Sequence, residues 1–136
     1  MSMRSWLGAG LAAVTMLTAA AAVSRSNTSA EPKLAHMVFF ELKDRSKESR
    51  EKFAASCEKY LSGHEGVEHF SVGLIAEDVV EPNVSVRDFD VSLHLIFENK
   101  AAEAKYLKAE RHTKFVEENR ANFAKVRVFD TYLISR

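Results

Sequence analysis

The chain has 136 residues, enough for one domain, and its 19 basic side chains balance 19 acidic ones. Charges this evenly mixed make no basic field for phosphates, which argues against nucleic acid as a partner. With one cysteine, Cys57, no intramolecular disulfide can form.

Residues 1–30 differ from the rest. Arg4 and Arg25 are their only charged residues, and the run Leu7–Val23 is uncharged and apolar. A short basic start, an apolar run and then small residues ending at Ala30 have the layout of a secretory signal. The run is also at the lower edge of membrane-spanning length, so a retained N-terminal anchor is the alternative. Either places residues 31–136 outside the cytoplasmic membrane, periplasmic or secreted. A membrane is a partner only if the segment is retained.

From Glu31 on, "HMVFFEL" (36–42) is β-rich and apolar on both faces, with Val38, Phe40 and Leu42 on one and Met37 and Phe39 on the other. A strand of that kind is covered on both sides. Ser46 is placed to cap a helix carrying Phe53, Cys57, Tyr60 and Leu61 at helical spacing, with Gly63 as its stop. "VEHFSVGLI" is a second strand, and Pro82-Asn83 punctuate the loop that follows. In "FDVSLHLIF", Phe89, Val91, Leu93, Leu95 and Phe97 alternate onto one face, and Asp90, Ser92, His94 and Ile96 onto the other. Asn99 can cap "KAAEAKYLKA"; a second helical stretch, "RHTKFVEENRANF", follows, and "KVRVFDTYLI" is the last strand.

The order strand, helix, strand, strand, helix, strand predicts an α+β, ferredoxin-like βαββαβ protomer with a four-stranded antiparallel sheet and helices on one face. Helices cover only one face, yet the first strand is apolar on both. The second face therefore predicts a homodimer, two sheets closed face to face into a dimeric α/β barrel.

Three stretches in this order, "HMVFFELKD", "FDVSLHLIFENKAAEAKYLKAERHTKFVEE" and "VRVFDTYL", resemble the stress-responsive A/B barrel domain family over about His36–Leu133. The resemblance implies a small dimeric α/β barrel. Many relatives of this kind have no known activity, and the olivetolic acid cyclase group of plants performs a cofactor-free aldol condensation in an apolar pocket. By motif match it implies His36, Tyr106 and His112 as catalytic candidates. The tyrosine of the cyclases' first helix falls at Cys57 or Glu58 here, and Ala109-Glu110 replace a His-Pro pair.

An imidazole near neutrality can take a proton from carbon next to a carbonyl, and Tyr106 can donate to the enolate oxygen that forms. The plainer reading gives His36 and His112 a role in stabilising the fold. No cofactor and no metal is expected. His64 and His69 lie near Glu65 and Glu68 without metal-ligand spacing, and read as solvent-exposed. Cys57 reads as a buried, inert thiol, Tyr60 and Tyr132 as packing residues, and His94 stays unassigned between interface and pocket. The resemblance to dimeric α/β barrels also implies haem degradation as a candidate activity, which relies on a tryptophan in the pocket; the only tryptophan here, Trp6, lies in the N-terminal segment, which removes most of that support. Three functional readings stay open: a dimer binding an apolar small molecule, a cofactor-free cyclase or isomerase, and a purely structural dimer.

Overall fold

The computed structural model describes residues 31–134; the N-terminal segment 1–30 lies outside the described residues. Among the described residues no helix is long and apolar enough to cross a membrane. The elements run β1 (Leu34–Leu42), α1 (Lys47–Leu61), β2 (Val67–Leu74), β3 (Val91–Phe97), α2 (Lys100–Lys108), α3 (Glu110–Asn119), a 3₁₀ turn (Arg120–Asn122) and β4 (Phe123–Tyr132). The four strands form one antiparallel sheet in the order β2-β3-β1-β4, so β1 is central and β2 and β4 are the edges. This is the ferredoxin-like arrangement expected.

The helix starts follow local chemistry. Ser46 accepts the Ser49 N–H at 3.2 Å, and Asn99 accepts the Ala102 N–H at 2.9 Å, each answering an amide that the first turn leaves unpaired. α1 ends at Leu61 with Ser62 as its C-cap, and Gly63 follows in the left-handed region at φ 65°, as expected of a terminating glycine.

The core lies between sheet and helices. Val38, Phe40 and Leu42 of β1 and Val91, Leu93, Leu95 and Phe97 of β3 meet Phe53, Cys57 and Leu61 of α1, Tyr106 of α2 and Phe115 of α3, all buried. Phe40 and Phe53 stand edge to face with centroids 4.9 Å apart.

The structure corrects the expected alternation at the start of β3. Asp90, expected to share a face with Ser92 and His94, is fully buried on the helix side, and Phe89, expected to share a face with Val91 and Leu93, turns to the open face and packs on Phe39 at 5.0 Å. The reason is hydrogen bonding. The Asp90 carboxylate accepts the Leu42 N–H at 2.9 Å and the Nε–H groups of Arg45 and Arg50 at 3.0 Å each. A buried carboxylate with three donors outweighs the loss of one apolar position.

The open face carries Met37 and Phe39 half-buried and Phe129 52% exposed. Phe39, Phe89, Phe129, Val86 and Arg127 line a concavity of about 310 Å³ there.

Candidate functional site

The second apolar region is a cavity of about 210 Å³ between the helices and the sheet. Its wall is aliphatic and aromatic, including Val38, Leu93, Leu107, Phe115, Val126 and Val128. The polar side chains on it are the three predicted candidates, His36, Tyr106 and His112.

Each arrives from a different element. His36 points to the helix side of the central strand and is 6% exposed. Tyr106, 3% exposed, descends from α2 onto Phe97 at 5.1 Å. His112, in the first turn of α3, is half-buried. The rings converge on the tyrosine, with centroid separations of 6.2 Å from Tyr106 to His36 and 4.8 Å from Tyr106 to His112, both edge to face.

Two members of the cluster were not legible in the sequence. Asp130 lies directly opposite His36 in the β1–β4 register, and its Oδ1 accepts from His36 Nδ1 at 2.6 Å. A carboxylate accepts only, so Nδ1 carries the hydrogen in this bond and the lone pair of a neutral ring lies on Nε2. The alternation Val126, Val128, Asp130 gave a signal, but it becomes useful only once β4 is registered on β1. His64, read as exposed, is half-buried with its ring 5.0 Å from Tyr106. His69 is exposed, as expected.

The electrostatics separate the groups. Burial, then the imidazoles of His36 and His64, hold the His112 pKa below its ordinary value, so near neutral pH the ring is an uncharged base. Burial pushes the Tyr106 phenol well up, with Cys57 and Glu103 adding, so it remains a hydroxyl donor. Cys57, fully buried, is pushed up to about 12 by desolvation, in keeping with an inert thiol.

His94 resolves to the open face. Its Nδ1 lies 3.2 Å from Ser71 Oγ, which in turn lies 3.1 Å from His69 Nε2, and burial followed by His69 lowers its pKa. It is no part of the cavity. Tyr60 packs in the core with its hydroxyl donated to Glu118 at 2.6 Å; Tyr132 is 56% exposed, and so is not a packing residue within the protomer.

His36, Glu103 and Asp130 bring one donor atom each within 4.8 Å of one another, a spacing that a divalent ion can bridge. The His36–Asp130 hydrogen bond already engages two of the three, so an ion binding through Nδ1 would first displace its proton.

The stress-responsive A/B barrel domain model matches residues 34–133. A Mesorhizobium loti protein described as a dabb family protein with a ferredoxin-like fold is 25% identical, with TM-score 0.63, over 77% of this chain and 100% of its own. An Arabidopsis thaliana protein is 23% identical, with TM-score 0.62, over 76% of this chain and 97% of its own. A Thermobifida fusca protein described as a dimeric ferredoxin-like protein of unknown function is 10% identical, with TM-score 0.61, over 76% of this chain and 92% of its own. No curated protein matches the sequence. A sheet of this order, the cavity beneath its helices and a family match across nearly all the described residues lead to one assignment: the chain belongs to the stress-responsive A/B barrel domain family.

Proposed function

We propose that the chain is a small-molecule-binding domain whose cavity takes a neutral, largely apolar ligand with a carbonyl or hydroxyl at one end. The observation that carries this is the convergence of His36, Tyr106 and His112 at one apolar cavity. No Lys or Arg is among the residues lining it, so no permanent positive charge there offsets the desolvation of an anionic ligand. A volume of about 210 Å³ admits a molecule with one aromatic ring rather than a nucleotide or a haem.

The second reading, a cofactor-free cyclase or isomerase, is favoured by the pairing of a neutral imidazole, His112, with a hydroxyl donor, Tyr106. In this reading His112 takes the proton from carbon next to the carbonyl, and Tyr106 donates to the enolate oxygen.

The test is ligand-observed NMR with a panel of neutral aryl ketones, followed in D₂O for deuterium uptake next to the carbonyl. Saturable binding lost in His112→Ala supports the binding domain, and uptake above background lost in the same variant supports the enzyme. If no ketone binds and both histidines titrate independently, the domain is a structural dimer.

The domain acts as a homodimer through its open sheet face in this proposal. Support comes from the exposed Phe129, the aromatic concavity around Phe39 and Phe89, and relatives described as dimeric. Export rests on residues 1–30 alone; the mass and first residue of the protein from a periplasmic or culture fraction distinguish cleavage after Ala30 from a retained anchor.

A further inference from the structure

His64 is not on the cavity wall, yet it touches the residue that links the cavity's two imidazoles. Its ring stands edge-on to Tyr106, at 84° between planes, and His112 meets the same tyrosine at 70°. Its Nε2 lies 2.9 Å from the Tyr60 carbonyl oxygen in the last turn of α1. A carbonyl only accepts, so Nε2 carries the hydrogen, and this bond fixes the orientation of the ring.

The turn that carries His64 is itself seated on α2. Gly63 and Gly66 both have left-handed φ, 65° and 78°. A Cβ at Gly66 would lie 2.5 Å from the Ala102 Cβ, so only glycine lets the turn close this tightly on the helix that bears Tyr106. The Gly66 carbonyl accepts the Glu98 N–H at 2.9 Å and ties the turn to the end of β3.

We infer that His64 is a positioning residue of this site: anchored on Tyr60, its ring holds the Tyr106 ring against His112 and sets where the phenol hydroxyl and the free imidazole meet a ligand. The inference rests on the cavity reading above. Each of the three imidazoles around Tyr106 has a different status. His36 is tied to Asp130 and His64 to the Tyr60 carbonyl, whereas His112 makes no side-chain hydrogen bond among the described residues. His112 is thus the one whose two ring nitrogens are both unbonded among the described residues, while His36 and His64 are each fixed through one nitrogen and frame it.

Charge supports the same division, because both neighbouring imidazoles disfavour a proton on His112. The other charged groups at this corner are Arg111, donating to the Lys59 and Ser62 carbonyls, the Glu65–Lys105 pair, and Lys59 and Glu118, which meet at the Tyr60 hydroxyl.

The experiment is a histidine titration of the isotope-labelled full chain by NMR, comparing wild type with His64→Phe and His64→Gln. Phe keeps a ring against Tyr106 but removes the imidazole. Its expected effect is a rise in the His112 midpoint, because one of the two imidazoles that disfavour its proton is gone, with the Tyr106 ring resonances little changed. Gln is expected to raise the midpoint and also to move the Tyr106 resonances. Unmoved Tyr106 resonances in a folded Gln variant overturn the inference, and an unchanged His112 midpoint in the Phe variant overturns it if Gln fails to fold. His36→Ala, titrated alongside, separates two failures. If it moves His112 and the His64 variants do not, His64 has no part in an otherwise intact site; if nothing moves His112, the shared site is absent and the inference falls with it.

Discussion

Replacing Asp130 by alanine tests whether the His36–Asp130 pair is built into the fold. His36 is 6% exposed on the central strand, so its Nδ1–H has almost no access to bulk water on its own side. Asp130 takes that hydrogen at 2.6 Å, and its side chain is 47% exposed. Leaving a buried donor unpaired costs about 1–3 kcal/mol. Because the aspartate position is wet, water can enter where the carboxylate was, which puts the expected loss near the lower end, about 1 kcal/mol. For a domain of this size each kcal/mol corresponds to a Tm drop of about 4–8 °C. Asp130→Asn keeps an acceptor oxygen on the same stem and is expected to lose less than half as much. The assay is urea unfolding followed by circular dichroism at pH 7, with midpoints compared at equal slope. If Asp130→Ala is as stable as wild type, or if Asn is as damaging as Ala, the reasoning that the acceptor at this position holds the His36 ring is wrong.

Other expectations follow from the same structure. Asp90→Ala removes a fully buried carboxylate and strands the Leu42 amide, while Arg45 and Arg50 keep Glu41 and Glu77, and is expected to cost about 2–3 kcal/mol in urea unfolding, above Asp130→Ala. The depressed pKa of His112 has a defined sign: the unfolded chain takes up the proton first as pH falls, so stability attributable to His112 is present above about pH 6.5 and is lost below it. His94 acts in the same direction, so His112→Gln is expected to reduce, not abolish, the loss in unfolding free energy between pH 7 and pH 5. Cys57 is expected to resist a thiol reagent at pH 8 in the folded chain and to react fully in denaturant, read by absorbance of the released thiolate. Phe129→Glu places a charge in the open aromatic face and is expected to convert a dimer to monomer in light scattering, without loss of helical signal.

Local chemistry alone determined the element order, the helix caps at Ser46 and Asn99, the stop at Gly63 and the central strand with two apolar faces. Each depends on residues a few positions apart, within reach of one helical turn or one strand repeat. The three candidates His36, Tyr106 and His112 were legible through motif resemblance, and the fold brings them to one cavity. Tertiary structure alone decided the remainder. Asp130 pairs with His36 across 94 residues, so only the β1–β4 register reveals it. His64 looked exposed because its neighbours are polar, but two left-handed glycines fold its turn onto Tyr106. Asp90 and Phe89 exchanged faces because three hydrogen-bond donors from other elements meet where β3 begins. Alternation reports the average preference of a strand for water or core, and it carries no information about a donor that arrives from elsewhere in the chain.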